Sequence, residues 1–358
     1  MKFALAGGGT GGHAYPAIAV AERLRAVPGT ELVYYGTEKG PERAVAEHAG
    51  IPYRAIPASQ VRGRSPIRLA TGLARLWRGS QVAARLLAED RPAAVFATGG
   101  YAAAPVGRAA RRAGIPLVVF LPDVHPGWAV RFLARYATTV ACSVSRSLAS
   151  LPARKTVVTG YPVRQQFLDA TREEGIARFG LDPSLKTLLV AGGSLGAHQI
   201  NLAIAEGLRA LLEQSQIIHV SGVDEEHWLR RERDRLPEWM RARYHLHAYT
   251  EEMAYAMRAA DLAVTRAGAS TLGELPVTGL PAIVIPGSFS DQHVNADYLA
   301  SEGAAITLPT MRLDELEPLI LGLLEDTPRR ESMATAMRGL AHPDAAETLA
   351  TLLREVAA

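Results

Sequence analysis

Gly7-Gly8-Gly9-Thr10-Gly11-Gly12-His13 joins two stretches of opposite character. Phe3 to Ala6, before it, is a short apolar run that reads as a buried strand. Tyr15 to Ala26, after it, carries Ile18, Ala19, Val20 and Leu24 at helical spacing. The stretch is therefore a strand-to-helix turn. Such a turn offers unpaired backbone N–H groups and the positive end of a helix dipole to an anion. Glycine serves it where φ is positive or where a ligand approaches the backbone closely. His13 adds a titratable side chain at the end of the cradle. The spacing Gly7-x-Gly9-x-x-Gly12 also matches the dinucleotide fingerprint, which alone does not separate a nucleotide loop from a tight turn without a ligand.

The same pattern starts again in the second half. Leu188 to Ala191 is an apolar strand, followed by Gly192-Gly193-Ser194-Leu195-Gly196 and a helical stretch from His198 to Leu212. Strands are expected at 2–6, 31–35, 53–56, 93–97, 117–121, 138–142 and 156–158, then at 187–191, 216–220, 244–248, 261–264, 282–285 and 304–306, with helices between most of them. That alternation predicts an α/β fold of two Rossmann-like, doubly wound parallel sheets. Gly and Pro in Thr159-Gly160-Tyr161-Pro162 mark the linker, so the expected domains are 1–162 and 163–342. The tail from Glu315 to Ala358 reads as helical with a break at His342-Pro343. Open α/β sheets bind ligands beyond the carboxyl ends of their strands, so two such sheets facing each other would enclose an interdomain cleft walled by both glycine loops. The repeat argues against a dehydrogenase, in which the second domain usually differs from the dinucleotide domain.

Composition agrees with two domains: 358 residues exceed one ordinary core. A charged fraction of 21% and a hydrophobic fraction of 48% are those of a soluble globular protein. The one cysteine, Cys142, excludes a disulfide framework within the chain and suits a reducing cytosol. It reads as a small buried hydrophobe, with a catalytic thiol as the alternative. No secretion signal opens the chain, and no run of about 18 apolar residues is present to span a membrane. The positive charge is almost all arginine. Arg62, Arg64, Arg68, Arg75, Arg78 and Arg85 follow one another with no acidic residue before Glu89, interleaved with Ile67, Leu69, Leu73, Leu76 and Trp77. A basic amphipathic segment suits an anionic membrane surface; a helix packed on the sheet with solvated arginines gives the same pattern.

Two further stretches carry polar chemistry. Arg266-Ala267-Gly268-Ala269-Ser270-Thr271-Leu272-Gly273-Glu274 is another strand-to-helix turn, with Ser270 and Thr271 at the helix start where N–H groups are free for phosphate. Glu274 lies one turn on, on the face of Ser270, where a carboxylate can accept the hydroxyls of a ribose or act as a first-turn acid. Pro286 to Asn295 gathers Asp291, Gln292, His293 and Asn295 at a strand end, a set of donors and acceptors suited to sugar hydroxyls; His293 reads as a surface residue. The sequence has no Asp-x-Asp and no Cys/His cluster at metal spacing, so a diphosphate leaving group would be stabilised by helix N-termini and basic side chains, and no metal or cofactor is expected.

Gly8-Gly9-Thr10-Gly11-Gly12-His13, Thr98-Gly99-Gly100-Tyr101, Gly160-Tyr161-Pro162-Val163-Arg164, Gly192-Gly193-Ser194-Leu195-Gly196-Ala197, Arg266-Ala267-Gly268-Ala269 with Glu274, and Gln292-x-x-Asn295 occur in an order, and over nearly the whole chain, that resembles the MurG family of bacterial GT-B glycosyltransferases. The resemblance implies inverting transfer of GlcNAc from UDP-GlcNAc to a polyprenyl-diphosphate sugar, in peptidoglycan synthesis, at the cytoplasmic face of the plasma membrane. It implies an anionic membrane surface and a complex with other cell-wall enzymes as partners, and no nucleic acid. By the same resemblance Thr10, Gly11 and Gly12 contact the donor sugar or the acceptor diphosphate, with Tyr101 beside them, and His13 is the candidate general base. Arg164 and Ser194 would hold the UDP diphosphate, and the backbone at Thr250 would meet uracil. Ala269, Ser270 and Thr271 would bind phosphate, with Leu272 and Gly273 leading to Glu274 on the ribose and Gln292 on the GlcNAc hydroxyls. The C-terminal helix, 343–358, would pack back on the first domain. One departure stands out. The family's His-Glu-Gln-Asn is replaced by Phe120-Leu121-Pro122-Asp123, and Asp123-Val124-His125-Pro126-Gly127-Trp128 is similar to the His-x-x-Trp region of diacylglycerol galactosyltransferases. Asp123 becomes a second base candidate, alone or with His13, because a carboxylate in a closed cleft can have a raised pKa. The alternatives are a transferase with another lipid acceptor, such as a diacylglycerol, and an inactive nucleotide-sugar-binding scaffold.

Overall fold

The computed structural model describes residues 1–9, 11–58, 66–193, 197–287 and 292–358. The chain divides into two compact units, unit 1 comprising Met1–Gln165 and His342–Ala358 and unit 2 comprising Gln166–Ala341.

In unit 1 the described elements are β1 (Lys2–Gly7), α1 (Gly11–Arg25), β2 (Glu31–Thr37), α2 (Glu42–His48), β3 (Tyr53–Ile56), α3 (Pro66–Asp90), β4 (Ala94–Gly99), α4 (Gly100–Arg112), β5 (Leu117–Leu121), α5 (Trp128–Ala134), β6 (Thr139–Cys142) and β7 (Thr156–Val158). The seven strands pair in parallel in the order β3-β2-β1-β4-β5-β6-β7. β4 and β5 are buried along their whole length, the continuous apolar habit of a sheet covered on both faces. Cys142, at the end of β6, is buried, and burial pushes its thiol up to about 11, which makes it inert as a nucleophile.

Following α6 (Gln165–Asp169), unit 2 contains α7 (Arg172–Phe179), β8 (Lys186–Ala191), α8 (His198–Glu206), α9 (Leu208–Gln214), β9 (Ser215–Val220), α10 (Glu226–Asp234), α11 (Glu238–Ala242), β10 (Tyr244–His247), α12 (Met253–Ala259), β11 (Leu262–Thr265), α13 (Thr271–Thr278), β12 (Ala282–Val284), α14 (Gln292–Ser301), β13 (Ala305–Thr307), α15 (Leu316–Glu325) and α16 (Thr327–Gly339). Its six described strands are again all parallel, in the order β10-β9-β8-β11-β12-β13. The chain then returns to unit 1 as α17 (Ala345–Ala357), which packs on α1, β4 and β5. Gly160 allows that return. It has φ +82°, and a Cβ there would stand 2.1 Å from Cβ of His342.

In both sheets the strand order reverses next to the first strand, between β1 and β4 and between β8 and β11. Connections on the two sides of a reversal leave in opposite directions and open a crevice at the strand ends. The topology therefore pairs the loop after β1 with the loop after β4, and the loop after β8 with the loop after β11.

Three local expectations differ from the structure. The first helix starts at Gly11 instead of Tyr15, so Gly12 and His13 belong to its first turn. Pro16 lies inside the helix, and the Gly12 carbonyl that Pro16 cannot satisfy accepts from the Tyr161 hydroxyl at 3.5 Å. The stretch His198 to Leu212 is two helices, broken at Gly207, where a Cβ would come within 2.7 Å of the Glu317 carboxylate on α15. In α3 the inward stripe runs through Ser80, Ala83 and Leu87, with Leu76 half-buried, and Trp77 stays outside at 58% exposure. Trp77 follows Leu76 by about 100° around the helix, too far to share its inward-facing column.

Candidate functional site

The crevice of unit 1 is built from two glycine loops that interlock. Gly9 and Gly100 both have positive φ, +98° and +76°. A Cβ at Gly100 would stand 1.8 Å from the Gly8 carbonyl oxygen, and one at Gly9 would stand 3.0 Å from the Tyr101 ring. The close packing explains glycine at both places without a ligand. It also puts His13 beside the β4 loop. His13 Nδ1 lies 2.9 Å from the Thr98 carbonyl oxygen, and the Thr98 hydroxyl donates to the His13 carbonyl at 2.5 Å. A carbonyl only accepts, so the neutral imidazole carries its proton on Nδ1 and leaves the Nε2 lone pair to act as a base. Thr98 is fully buried, and its double hold fixes ring position and tautomer together.

The next candidate, Asp123, follows β5 on a turn that two buried serines hold. Ser143 Oγ donates to the Leu121 and Pro122 carbonyls at 3.1 and 2.8 Å, and Ser147 Oγ donates to the Val124 carbonyl at 2.8 Å. Arg164 groups with unit 1, its guanidinium 4.7 Å from the centre of the Tyr15 ring on α1. The linker end is tied to the same helix: the Gln165 amide donates to Glu22 at 3.0 Å, and Arg23 donates to the Gln165 side chain.

In unit 2 the loop after β11 is fixed from two sides. Arg266 donates to the Ile285 and Pro286 carbonyls at 3.2 and 3.4 Å, and buried Asn295 on α14 donates from Nδ2 to the Ala267 carbonyl at 3.1 Å. Ser270 is the N-cap of α13, and its side chain makes no capping bond. Thr271, Leu272, Gly273 and Glu274 form the first turn and are all buried, so Leu272 and Gly273 can meet a ligand only through their backbone. A Cβ at Gly268 would touch nothing within 4 Å, and the same holds at Gly193 in the loop after β8. Glycine at these two places leaves the backbone open, whereas Gly8 and Gly100 are filled by their neighbours. Gln292 Oε1 accepts from the Gly287 amide at 2.7 Å, which leaves the amide nitrogen for an acceptor on a ligand. His293 is exposed. Thr250 follows β10, its hydroxyl accepting from the Glu252 amide at 3.0 Å. Thr10, Ser194 and Asp291 lie outside the described residues, as do Arg62 and Arg64.

Polar residues without an assigned role in the sequence prove to be supports: Thr98 under His13, Glu42 under Gly9, and Ser143 and Ser147 under the Asp123 turn; Asn295, expected among the groups for sugar hydroxyls, is instead wholly buried under the loop after β11. Thr98 and Asn295 belong to stretches quoted above, and burial in the midst of polar motifs is the signal that marks them. Glu42 carries only the neighbouring Gly40-Pro41 turn as a signal.

Two doubly wound units, each with glycine loops at the reversal of its strand order, have the architecture of the GT-B fold class. Residues 3–142 match the glycosyltransferase family 28 N-terminal domain and residues 187–349 match the family 28 C-terminal domain. The chain is 43% identical to a UDP-N-acetylglucosamine--N-acetylmuramyl-(pentapeptide) pyrophosphoryl-undecaprenol N-acetylglucosamine transferase of Roseiflexus sp. (strain RS-1), over 98% of this chain and 93% of that one. It is 38% identical to the protein of the same name from Salinibacter ruber, over 97% and 94%. The crystal structure of Acinetobacter baumannii MurG superposes with a TM-score of 0.77 at 26% identity, covering 99% of each chain. The chain belongs to the MurG family.

Proposed function

We propose that this protein transfers N-acetylglucosamine from UDP-GlcNAc to the N-acetylmuramyl-(pentapeptide) pyrophosphoryl-undecaprenol acceptor, lipid I, giving lipid II with inversion at the anomeric carbon. The observation that carries the reading is His13, held by Thr98 in one tautomer at the paired glycine loops of unit 1. Its Nε2 takes the proton of the acceptor hydroxyl as the hydroxyl oxygen forms its bond to the anomeric carbon. The bond from that carbon to the β-phosphate oxygen breaks, and UDP leaves with the electron pair. Oriented N–H groups at a helix N-terminus stabilise developing charge of this kind without reorganising, and the first turn of α13 with Ser270 and Thr271 supplies them, together with Arg164 and Ser194. Glu274 receives the ribose hydroxyls, the backbone at Thr250 the uracil, and Gln292 the sugar hydroxyls. Thr10, Gly11, Gly12 and Tyr101 surround the transferred sugar. Asp123, on the turn after β5, is the second candidate for the base, alone or with His13.

Among the described residues no helix is long and apolar enough to cross a membrane. In this reading the lipid acceptor is met at the membrane surface. The exposed Trp77, Arg75, Arg78 and Arg85 of α3 are the contact with anionic headgroups at the cytoplasmic face of the membrane.

The test is release of UDP and formation of a GlcNAc-bearing lipid from UDP-GlcNAc and lipid I, run beside a diacylglycerol acceptor. Transfer to lipid I alone is expected. Product only with diacylglycerol would replace the acceptor, and UDP binding without any product would leave a nucleotide-sugar-binding scaffold.

A further inference from the structure

Glu42, the first residue of α2, is wholly buried, and no described cation forms an ion pair with it. Its carboxylate instead collects hydrogen bonds from two segments. Oε1 accepts from the Thr37 amide at 2.7 Å and the Thr37 hydroxyl at 2.6 Å, and Oε2 accepts from the Gly9 amide at 3.1 Å. Both amides can only donate, so both oxygens are committed as acceptors. The surrounding chain is shaped to this carboxylate. A Cβ at Gly8 would stand 2.3 Å from Oε1, one at Gly40 2.1 Å from Oε2, and one at Gly36 2.8 Å from Cγ. A buried carboxylate is costly to keep unless its bonds are specific. Two of the bonds come from Thr37, the last residue of β2, and the third from Gly9, so the carboxylate ties the glycine loop of unit 1 to the end of the sheet. Together with the Tyr34 hydroxyl, which donates to the Gly7 carbonyl at 3.2 Å, Glu42 fixes the loop on one side as Thr98 fixes His13 on the other.

We propose that Glu42 is a positioning residue for glycosyl transfer. By holding the Gly9 amide inward it sets the loop's path into α1, and so the place of the first-turn N–H groups and of His13 before any ligand arrives. The inference rests on unit 1 being the side where the acceptor hydroxyl is activated. Misplacement of a reacting group by about 1 Å costs on the order of a hundredfold in rate.

The test compares Glu42→Gln with Tyr53→Phe. In Glu42→Gln the side-chain NH2 must meet either Thr37 N–H or Gly9 N–H, so one tie is lost at nearly constant volume. Tyr53 donates to the Thr37 carbonyl at 2.6 Å and also neighbours the Glu42 carboxylate, but among the described hydrogen bonds it makes none to Gly9, so Tyr53→Phe perturbs the pocket and leaves the Glu42–Gly9 bond in place. Glu42→Gln is expected to lower kcat about ten- to a hundredfold, leave UDP affinity unchanged by calorimetry, and speed hydrogen exchange in the peptide containing Gly9. Tyr53→Phe is expected to lower the melting temperature while kcat stays within about twofold. Wild-type kcat in Glu42→Gln would overturn the proposal. So would an equal kcat loss in Tyr53→Phe, because that is general loosening. The exchange measurement does not depend on turnover. If the wild type transfers no sugar the functional reading fails by itself, while unchanged Gly9 exchange in Glu42→Gln overturns the positioning role.

Discussion

His13 has its role decided by one backbone atom. With Nδ1 committed to the Thr98 carbonyl at 2.9 Å, only Nε2 can exchange a proton with a substrate, and no rotation of the ring offers both nitrogens. His13→Ala is therefore expected to lower kcat by about 10²–10⁴, with UDP affinity retained because His13 and the α13 residues proposed to hold the nucleotide belong to different units. Asp123→Ala measured alongside assigns the base. If Asp123→Ala removes turnover and His13→Ala does not, the proton goes to the carboxylate and the imidazole only orients the acceptor. If each alone costs as much as both together, the two act as one unit.

At the scale of elements, α3 separates two explanations that its sequence left open. The inward stripe through Ser80, Ala83 and Leu87 accounts for its packing on the sheet, but Trp77 at 58% exposure is no part of that stripe. An exposed Trp among exposed Arg75, Arg78 and Arg85 suits a bilayer interface. Trp77→Ser is expected to reduce sedimentation with anionic vesicles at every salt concentration. Arg75→Glu with Arg78→Glu is expected to reduce it chiefly at low salt, since each basic residue near the surface is worth about 1 kcal/mol and is screened. Equal sedimentation of all variants with the wild type would remove α3 from the membrane contact. The same helix shows what the sequence made legible. Apolar runs and glycine turns placed the strands and the crevice loops, because a buried parallel strand writes its environment into consecutive residues. Which way a polar or amphipathic side chain points depends on distant partners. Gln292 and Asn295 sit three residues apart on α14, yet one is half-buried against Gly287 and the other wholly buried under Ala267. Thr98 reads as part of a glycine motif and proves to be the clamp on His13. The start of α1 was hidden for a similar reason, since the Gly12 carbonyl that Pro16 leaves without a helical partner is met by the distant Tyr161 hydroxyl.

At the scale of the whole molecule, the two units carry unequal sensitivity to acid. In unit 2, His219 is wholly buried, with Nδ1 2.8 Å from the Tyr244 hydroxyl and Nε2 3.0 Å from Asn201 Oδ1. An amide oxygen only accepts, so Nε2 carries the proton and Nδ1 takes the hydroxyl hydrogen; the neutral ring is satisfied on both sides. Burial pushes its pKa down to about 3. Burial likewise brings His245 down to about 4 and lowers His247. The unfolded chain binds protons at these histidines from about pH 6.5 downward, while the folded chain refuses them. Stability contributed by the neutral rings is thus full above about pH 6.5 and falls as the pH drops toward the folded-state values. For His219 alone the slope approaches about 1.4 kcal/mol per pH unit in that window. Differential scanning calorimetry from pH 7.5 to 4.5 is expected to show a steadily falling melting temperature. In His219→Gln, which keeps one donor and one acceptor in the same chain of bonds, the melting temperature is lower at pH 7.5 and its decline with acid is shallower. An unchanged slope in that variant would mean that His219 is protonated in the folded state, and the Tyr244–His219–Asn201 chain would then have to run with the Tyr244 hydroxyl turned to accept.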